Sequence, residues 1–191
     1  MLQIASFMMD NIANLLSINN ICQALNTEKS KITNKTVAKY ISYLENAFVF
    51  YEAFRFDLRG KKYLKSNHKH YLSDPSMRYA ILGTRNMDYG RIYENIVYLE
   101  LLRRGYEVYV GKLYKKEIDF VAIRQSEKIY IQVSDDISAG QTLKRECEPL
   151  LAIHDGYPKL IIARTRHEMY DYQGILIQDM AVWLSKENIT K

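Results

Sequence analysis

The spacing of apolar residues in the second half of the chain predicts a helix, three closely spaced strands, a second helix and a further strand. These elements fall at residues 91–104, 106–111, 117–124, 128–134, 141–153 and 159–164. Consecutive strands favour antiparallel pairing, and a strand that returns through a helix favours parallel pairing. The order therefore predicts an α/β domain over residues 74–191, with a mixed sheet that has helices on both faces.

The first 73 residues predict a different unit, made of helices and a hairpin. Apolar residues recur at helical spacing over residues 2–16, 18–25 and 34–48, and Asn34 is a suitable N-cap for the third helix. Alternating phenylalanines predict a strand over residues 48–56, and a turn at 57–60 leads to a second strand over 62–72. Three helices followed by a hairpin indicate a small winged helix-turn-helix unit, which makes the whole chain α+β.

The net charge of +5 is confined to this first unit. Residues 1–73 carry ten Lys and Arg against five Asp and Glu, whereas residues 74–191 carry seventeen of each. Such asymmetry is typical of a chain in which one part meets a polyanion, although a solvated basic surface would look the same. The expected partner is double-stranded DNA, contacted by Lys35, Lys39, Arg59, Lys61, Lys62, Lys65 and Lys69. The alternative is a protein-docking module without affinity for DNA.

Three polar residues of the second unit are placed where a metal-dependent nuclease would need them. Glu94 lies in the predicted helix, Asp119 in the middle strand and Gln132-Val133-Ser134 at the end of the next strand. This arrangement resembles the PD-(D/E)xK nuclease superfamily, in which a helix Glu, a strand Asp and a Glu-x-Lys assemble a Mg²⁺ site. The resemblance implies a restriction-endonuclease-like sheet with a catalytic set of Glu94, Asp119 and Gln132.

The same set departs from the nuclease pattern at two positions. Gln132 stands where the second acid is expected, and Ser134 stands where the lysine is expected. An amide oxygen is a neutral ligand, and a hydroxyl brings no positive charge. Glu117 lies two residues from Asp119 along the strand, so Glu94, Asp119 and Glu117 form the candidate metal ligands. Lys128 or Lys144 could supply the missing ammonium. We expect a degenerate, inactive site, with Mg²⁺ bound only if activity survives.

A longer set of motifs resembles the C-terminal region of a family of prokaryotic AAA-type P-loop ATPases. The motifs include Asp74-Pro75, Tyr93-Glu94-Asn95, the stretch 99–108 and Glu117-Ile118-Asp119-Phe120-Val121. In that family an ATPase domain precedes a winged-helix part and a nuclease-like domain of unknown function. This sequence contains no G-x-x-x-x-G-K-[ST], so no ATP site is expected, and the chain is expected to be a fragment or the product of a truncated gene. The ATPase core is a candidate protein partner.

The cysteines and the hydropathy of the chain indicate its cellular compartment. Cys22 and Cys147 are far apart and outside any C-x-x-C pattern, which indicates reduced thiols. No apolar run approaches the roughly 18 residues that span a bilayer. We therefore expect a cytoplasmic protein without a membrane partner. The functions in order of preference are a DNA-binding accessory module, an active metal-dependent DNA endonuclease, and a protein-docking module.

Overall fold

The computed structural model describes residues 1–27, 31–84 and 88–186, with Lys65 and Ser66 described by their backbone alone. The helices are α1 (Leu2–Asp10), α2 (Ile18–Leu25), α3 (Asn34–Asn46), α4 (Ser76–Leu82), α5 (Tyr89–Arg103), α6 (Gly140–Leu151) and α7 (Met180–Ser185). The strands are β1 (Leu15–Leu16), β2 (Phe50–Asp57), β3 (Lys62–Leu72), β4 (Glu107–Leu113), β5 (Lys116–Arg124), β6 (Glu127–Ser134), β7 (Lys159–Ala163), β8 (Tyr170–Tyr172) and β9 (Ile175–Asp179). The predicted polar stretch at 27–33 and the predicted loop at 83–90 lie partly outside the described residues.

The predicted helices of the first unit are present, with two differences. The first helix ends at Asp10 instead of continuing to residue 16, and β1 follows it. The third helix is capped by Thr33, whose hydroxyl accepts a hydrogen bond from the Thr36 amide at 3.2 Å, and Asn34 is its first residue. The predicted cap was therefore wrong by one position. A Thr side chain satisfies an unpaired helix N–H as an Asn side chain would.

The nine strands found in the described residues form one mixed sheet in the order β1-β3-β2-β4-β5-β6-β7-β9-β8. Strands β2 and β4, β6 and β7, and β7 and β9 pair in parallel, and the remaining neighbours pair in antiparallel fashion. The predicted mixed sheet is confirmed. The hairpin β2–β3 belongs to this sheet through its pairing with β4, and the division of the chain at residue 73 stays a prediction.

Helices cover both faces of the sheet. On β6, Ile129 and Ile131 pack with Leu101 of α5 and Trp183 of α7, whereas Tyr130 packs with α6 on the opposite face. The same alternation continues on β7, where Leu160 and Ile162 face α5 and α7 and Ile161 faces α6. Because neighbouring residues of a strand point to opposite faces, these strands are buried on both sides. The candidate site lies at an end of the sheet where residues of both α5 and α6 line the cleft.

Helices α1, α2 and α3 pack against one another and against the hairpin. Their core contains Met8, Ile21, Val37 and Phe50, and it reaches α5 through Ile92. The phenylalanine alternation predicted for β2 is interrupted, since Phe50 is buried whereas Phe48 is 69% exposed and Phe54 is exposed as well. Between the Ala53–Lys69 and Arg55–Leu64 pairs, four residues of β3 stand opposite Phe54, so the pairing is interrupted there and Phe54 packs on His68 instead of in the core.

Candidate functional site

The candidate site lies where strands β5 and β6 separate. Backbone pairing between them begins at Phe120 and Ile131, and side chains replace it beyond that point. The Asp119 amide donates to Gln132 Oε1 at 2.7 Å, and the Val133 amide donates to Asp119 Oδ2 at 2.9 Å. Between Ile118 and Val121, β5 also has one residue more than β4, so Asp119 sits in a bulge. The bulge and the separation together turn the Asp119 carboxylate into a cleft.

Lys69 of β3 links three carboxylates in this cleft. Its Nζ lies 2.8 Å from Glu94 Oε1, 2.7 Å from Glu117 Oε1 and 3.9 Å from Asp119 Oδ1. The Tyr71 hydroxyl also donates to Glu94 Oε1, at 2.6 Å. The predicted metal ligands Glu94, Asp119 and Glu117 are thus brought together by one ammonium group. Formally the four charged groups carry a net charge of −2.

Burial and mutual charge set the protonation of this cluster. Burial alone would lower the pKa of Lys69, but the charges of Glu94, Asp119 and Glu117 raise it above its ordinary value. Burial raises the pKa of Asp119 well above its ordinary value, and the neighbouring charge of Glu94 raises it further, while Lys69 opposes both effects. Burial also raises the pKa of the Tyr71 phenol, again with help from Glu94. Lys69 is therefore the positive charge that opposes the rise in the pKa of Asp119.

The cleft around the cluster is polar and acidic. Its lining includes seven carboxylates and three cationic side chains, the latter being Lys69, Arg91 and Arg145. Ser134 and Thr142 add hydroxyl groups. A cleft with a formal excess of four negative charges repels a phosphate unless cations neutralise it. The arrangement can hold a hard cation or a basic group, and it does not by itself attract an anion.

Three sequence-based assignments need correction. Lys69 was placed in the DNA-contacting wing, but it is 3% exposed and its ammonium belongs to the carboxylate cluster, because strand alternation turns it away from His68 and His70. Gln132 holds the Asp119 amide through Oε1 and Glu146 through Nε2, so its oxygen is already occupied. Neither Lys128 nor Lys144 lines the cleft, and Lys128 instead lies 4.4 Å from the Tyr157 ring centre.

A basic surface, the tip surface, lies at the turns of two neighbouring hairpins. The β2–β3 turn and the β4–β5 turn are adjacent because β2 pairs with β4 and the Leu58 amide donates to the Lys112 carbonyl at 3.0 Å. The Arg59 guanidinium lies 5.0 Å from the ring centre of Tyr114, which is 63% exposed. The surface carries Arg59, Lys61, Lys62, Lys112, Lys115 and Lys116.

The predicted DNA-contacting residues differ in where they lie and in whether they are exposed. Arg59, Lys61 and Lys62 are exposed on the tip surface, and Lys35 and Lys39 are exposed on α3. The Lys65 side chain lies outside the described residues. Lys112, Lys115 and Lys116 were missed because they lie within residues 74–191, whose overall charge is balanced. Their position at a turn between two predicted strands was the available signal.

The known proteins that this chain resembles in sequence are described without an activity. Residues 1–88 match a family model described as a domain of unknown function, DUF8612. An uncharacterized protein of Haemophilus influenzae is 40% identical over 178 residues, which cover 93% of this chain and 44% of that protein. An uncharacterized protein of Methanocaldococcus jannaschii is 29% identical over 130 residues, which cover 66% of this chain and 28% of that protein.

The chain spans less than half the length of these curated relatives. No solved structure matches it significantly. Across residues 1–27, 31–84 and 88–186, no helix has both the length and the apolar character that crossing a membrane requires.

Proposed function

We propose that this chain is a DNA-binding module of a longer protein, in which a winged-helix unit is joined to a rearranged nuclease-like domain. The observation that carries the proposal is the tip surface, where the turns of two hairpins bring together six cationic side chains, one of them over the exposed Tyr114 ring and another, Lys116, paired with Glu148 at 2.6 Å. Lys115 and Lys116 directly precede Glu117, so this surface borders the carboxylate cleft. A polyanion held at the tips would therefore pass beside the cluster.

The order of the first six elements supports the winged-helix assignment. A short strand between the first two helices pairs with the last strand of the hairpin, as Leu15 does with Lys69 and Leu16 with His68. Helix α3 then exposes Lys35 and Lys39, and the hairpin turn exposes Arg59 and Lys61. In a winged helix these two elements are the ones that meet the duplex. The Asp57 carboxylate shapes the turn by accepting hydrogen bonds from the Arg59 and Gly60 amides at 3.1 and 3.2 Å.

Exposed cations at the tips would act mainly through phosphate contacts. Each phosphate that a lysine or arginine neutralises releases condensed counterions, and this release makes affinity fall as salt rises. Contacts of this kind position a duplex without reading its sequence. We therefore expect binding that depends strongly on salt and weakly on base sequence.

Fluorescence anisotropy with a short labelled duplex, in EDTA and over a series of salt concentrations, tests this proposal. Lys62/Lys115→Ala should reduce the log-log salt slope by about 1.8, because each lost phosphate contact removes about 0.9. The matched control Lys128/Lys186→Ala removes the same formal charge away from the tips and should leave the slope unchanged. Equal losses in the two variants would show non-specific electrostatics. No binding at low salt would reject DNA as the partner and favour docking to a protein such as an ATPase core.

A second candidate function, metal-dependent DNA cleavage, is favoured by the contents of the cleft. Glu117 and Lys69 together supply the carboxylate and the ammonium that the Gln132 and Ser134 positions lack. Glu94, Glu117 and Asp119 are hard oxygen donors in an acidic cleft, which suits Mg²⁺, and these residues would hold it. The ion would supply charge neutralisation at a phosphate and activation of water. Lys69 would hold the three carboxylates in position.

Cleavage of a supercoiled plasmid in Mg²⁺ or Mn²⁺ is the matching test. Asp119→Asn should reduce any such cleavage by about 100-fold or more, since it removes a charged oxygen ligand from the centre of the cluster. The control Asp136→Asn changes an aspartate of the same cleft that caps the Ser138 amide at 2.7 Å, and it should keep the activity. Activity that survives Asp119→Asn would come from a contaminant or from another site.

A further inference from the structure

Strand β3 carries two histidines on the face opposite to Lys69. His68 and His70 line a groove of about 740 Å³ between the hairpin and helices α2 and α3, whereas Lys69 lines the carboxylate cleft. Glu52 of β2 is the register partner of His70 and also contacts His68 Nδ1. Glu45, in the last turn of α3, reaches His70 Nε2 at 3.2 Å. Two imidazoles and two carboxylates from three elements thus meet at one end of the groove.

The spacing of these side chains suits a single metal ion. Ligand atoms of Glu45, Glu52 and His70 all lie within 4.8 Å of one another. Around a tetrahedral Zn²⁺ with bonds of about 2.1 Å, ligand atoms lie about 3.4 Å apart. Small changes in side-chain rotamer would therefore bring these ligand atoms to the distances that one ion requires. The donors belong to two paired strands and a packed helix, which hold them in place before any ion arrives. His68 lines the same groove and contacts Glu52, which makes it the candidate fourth donor.

The contacts of the His68 ring suit a metal ligand. His68 Nε2 lies 3.3 Å from the Leu64 carbonyl. The other ring nitrogen, Nδ1, faces the Glu52 carboxylate and so lies beside a second donor of the set. A backbone carbonyl that fixes the far nitrogen is also the usual outer partner of a metal-bound histidine.

The hydrogen bonding of the buried His70 ring is incomplete. It is 5% exposed, and its Nδ1 is buried without a hydrogen-bond partner among the described residues. An unpaired buried polar atom costs free energy unless another interaction compensates. The His68 ring also makes a T-shaped contact with the Phe54 ring, with ring centres 4.8 Å apart.

We propose that Glu45, Glu52, His68 and His70 form a Zn²⁺ site at the junction of α3 with the β2–β3 hairpin. Mixed imidazole and carboxylate donors favour Zn²⁺ over Mg²⁺, which prefers oxygen ligands alone. The ion would fix the end of α3 to the hairpin, the two elements that the proposed winged helix uses. The site is separate from the carboxylate cleft because β3 places their donors on opposite faces.

Isothermal titration calorimetry with Zn²⁺ tests the proposal, using the full chain after bound metal has been removed with EDTA and the EDTA has been dialysed away. The absorption spectrum of bound Co²⁺ reports the ligand geometry. One Zn²⁺ per chain is expected, and His70→Gln and His68→Gln should each weaken binding by about 100-fold or more. The control His154→Gln, at an exposed position, should bind as the unaltered chain does. Circular dichroism establishes folding of each variant, and Glu52→Gln, at a half-buried position, provides a milder change with the same expected direction.

Three results would overturn the site: no stoichiometric binding, equal affinities in His70→Gln and His154→Gln, or a loss of binding in Asp119→Asn that the histidine variants do not share. The last result would place the ion in the carboxylate cleft. None of these outcomes bears on the salt-dependent DNA binding measured in EDTA, so the two proposals fail separately.

Discussion

Lys69→Met is expected to lower the free energy of unfolding by about 3–5 kcal/mol at neutral pH. The methionine side chain keeps most of the volume but removes the positive charge that lies 2.8 Å from Glu94 and 2.7 Å from Glu117. Three carboxylates would remain together in and beside a buried site, without a compensating cation. Breaking a buried ion pair from one side is costly because the partner's desolvation is no longer offset.

The same substitution should change how stability depends on pH. Burial and Glu94 already raise the pKa of Asp119, and loss of Lys69 raises it further. A carboxyl whose folded pKa lies above its unfolded pKa stabilises the fold at low pH, and that contribution is lost as pH rises through the folded value. The stability deficit of Lys69→Met should therefore shrink as the pH falls below the raised pKa of Asp119. Urea unfolding at several pH values measures it.

Lys62→Met is the matched control for this experiment. Lys62 lies on the same strand but is exposed on the tip surface, so its loss should change stability by less than about 0.5 kcal/mol at any of these pH values. Similar deficits in the two variants would contradict the assignment of Lys69 to a buried ionic cluster. A deficit in Lys69→Met that does not vary with pH would show that lost packing, and not uncompensated charge, causes it.

Much of the fold could be predicted because its elements have strong local signals. Helix α2 and strand β3 have the predicted bounds, and β5 and β6 each begin one residue earlier than predicted. The short strands β1 and β8, of two and three residues, were missed because so few residues carry no periodicity. The irregularity in the β2–β3 pairing was also missed, since phenylalanines at alternating positions of β2 do not show whether its partner strand is regularly paired.

The candidate site was predictable in its carboxylates and not in its lysine. Glu117 and Asp119 are close in sequence, and the period of a strand suffices to bring them together. Lys69 precedes Glu94 by 25 residues, in a basic stretch that resembles a phosphate-binding wing. Alternation along β3 shows that Lys69 and His70 face opposite sides, but only the pairing of β2 with β4 decides which side meets β5. Long-range strand order is information that local sequence does not contain.

Asn95→Leu is expected to destabilise the fold by about 2–5 kcal/mol, for a reason that also bears on how the two predicted units are joined. Asn95 is 0% exposed, and its side chain pairs with the backbone of Leu72 in the manner of a neighbouring strand. Its Oδ1 accepts from the Leu72 amide at 2.8 Å, and its Nδ2 donates to the Leu72 carbonyl at 2.9 Å. The bonds connect α5 to the last residue of the hairpin.

Leucine has a similar size but leaves both backbone groups of Leu72 buried and unpaired. Each such group costs about 1–3 kcal/mol, whereas Asn46→Leu, at an exposed position on α3, should change stability by less than about 0.5 kcal/mol. Urea unfolding gives the free energies, and hydrogen exchange gives a local readout. The Leu72 amide should exchange faster in Asn95→Leu than in the unaltered chain. Unchanged protection at Leu72 would mean that the hairpin end is held by its pairing with Phe50 alone, and that α5 contributes only apolar contacts to the junction.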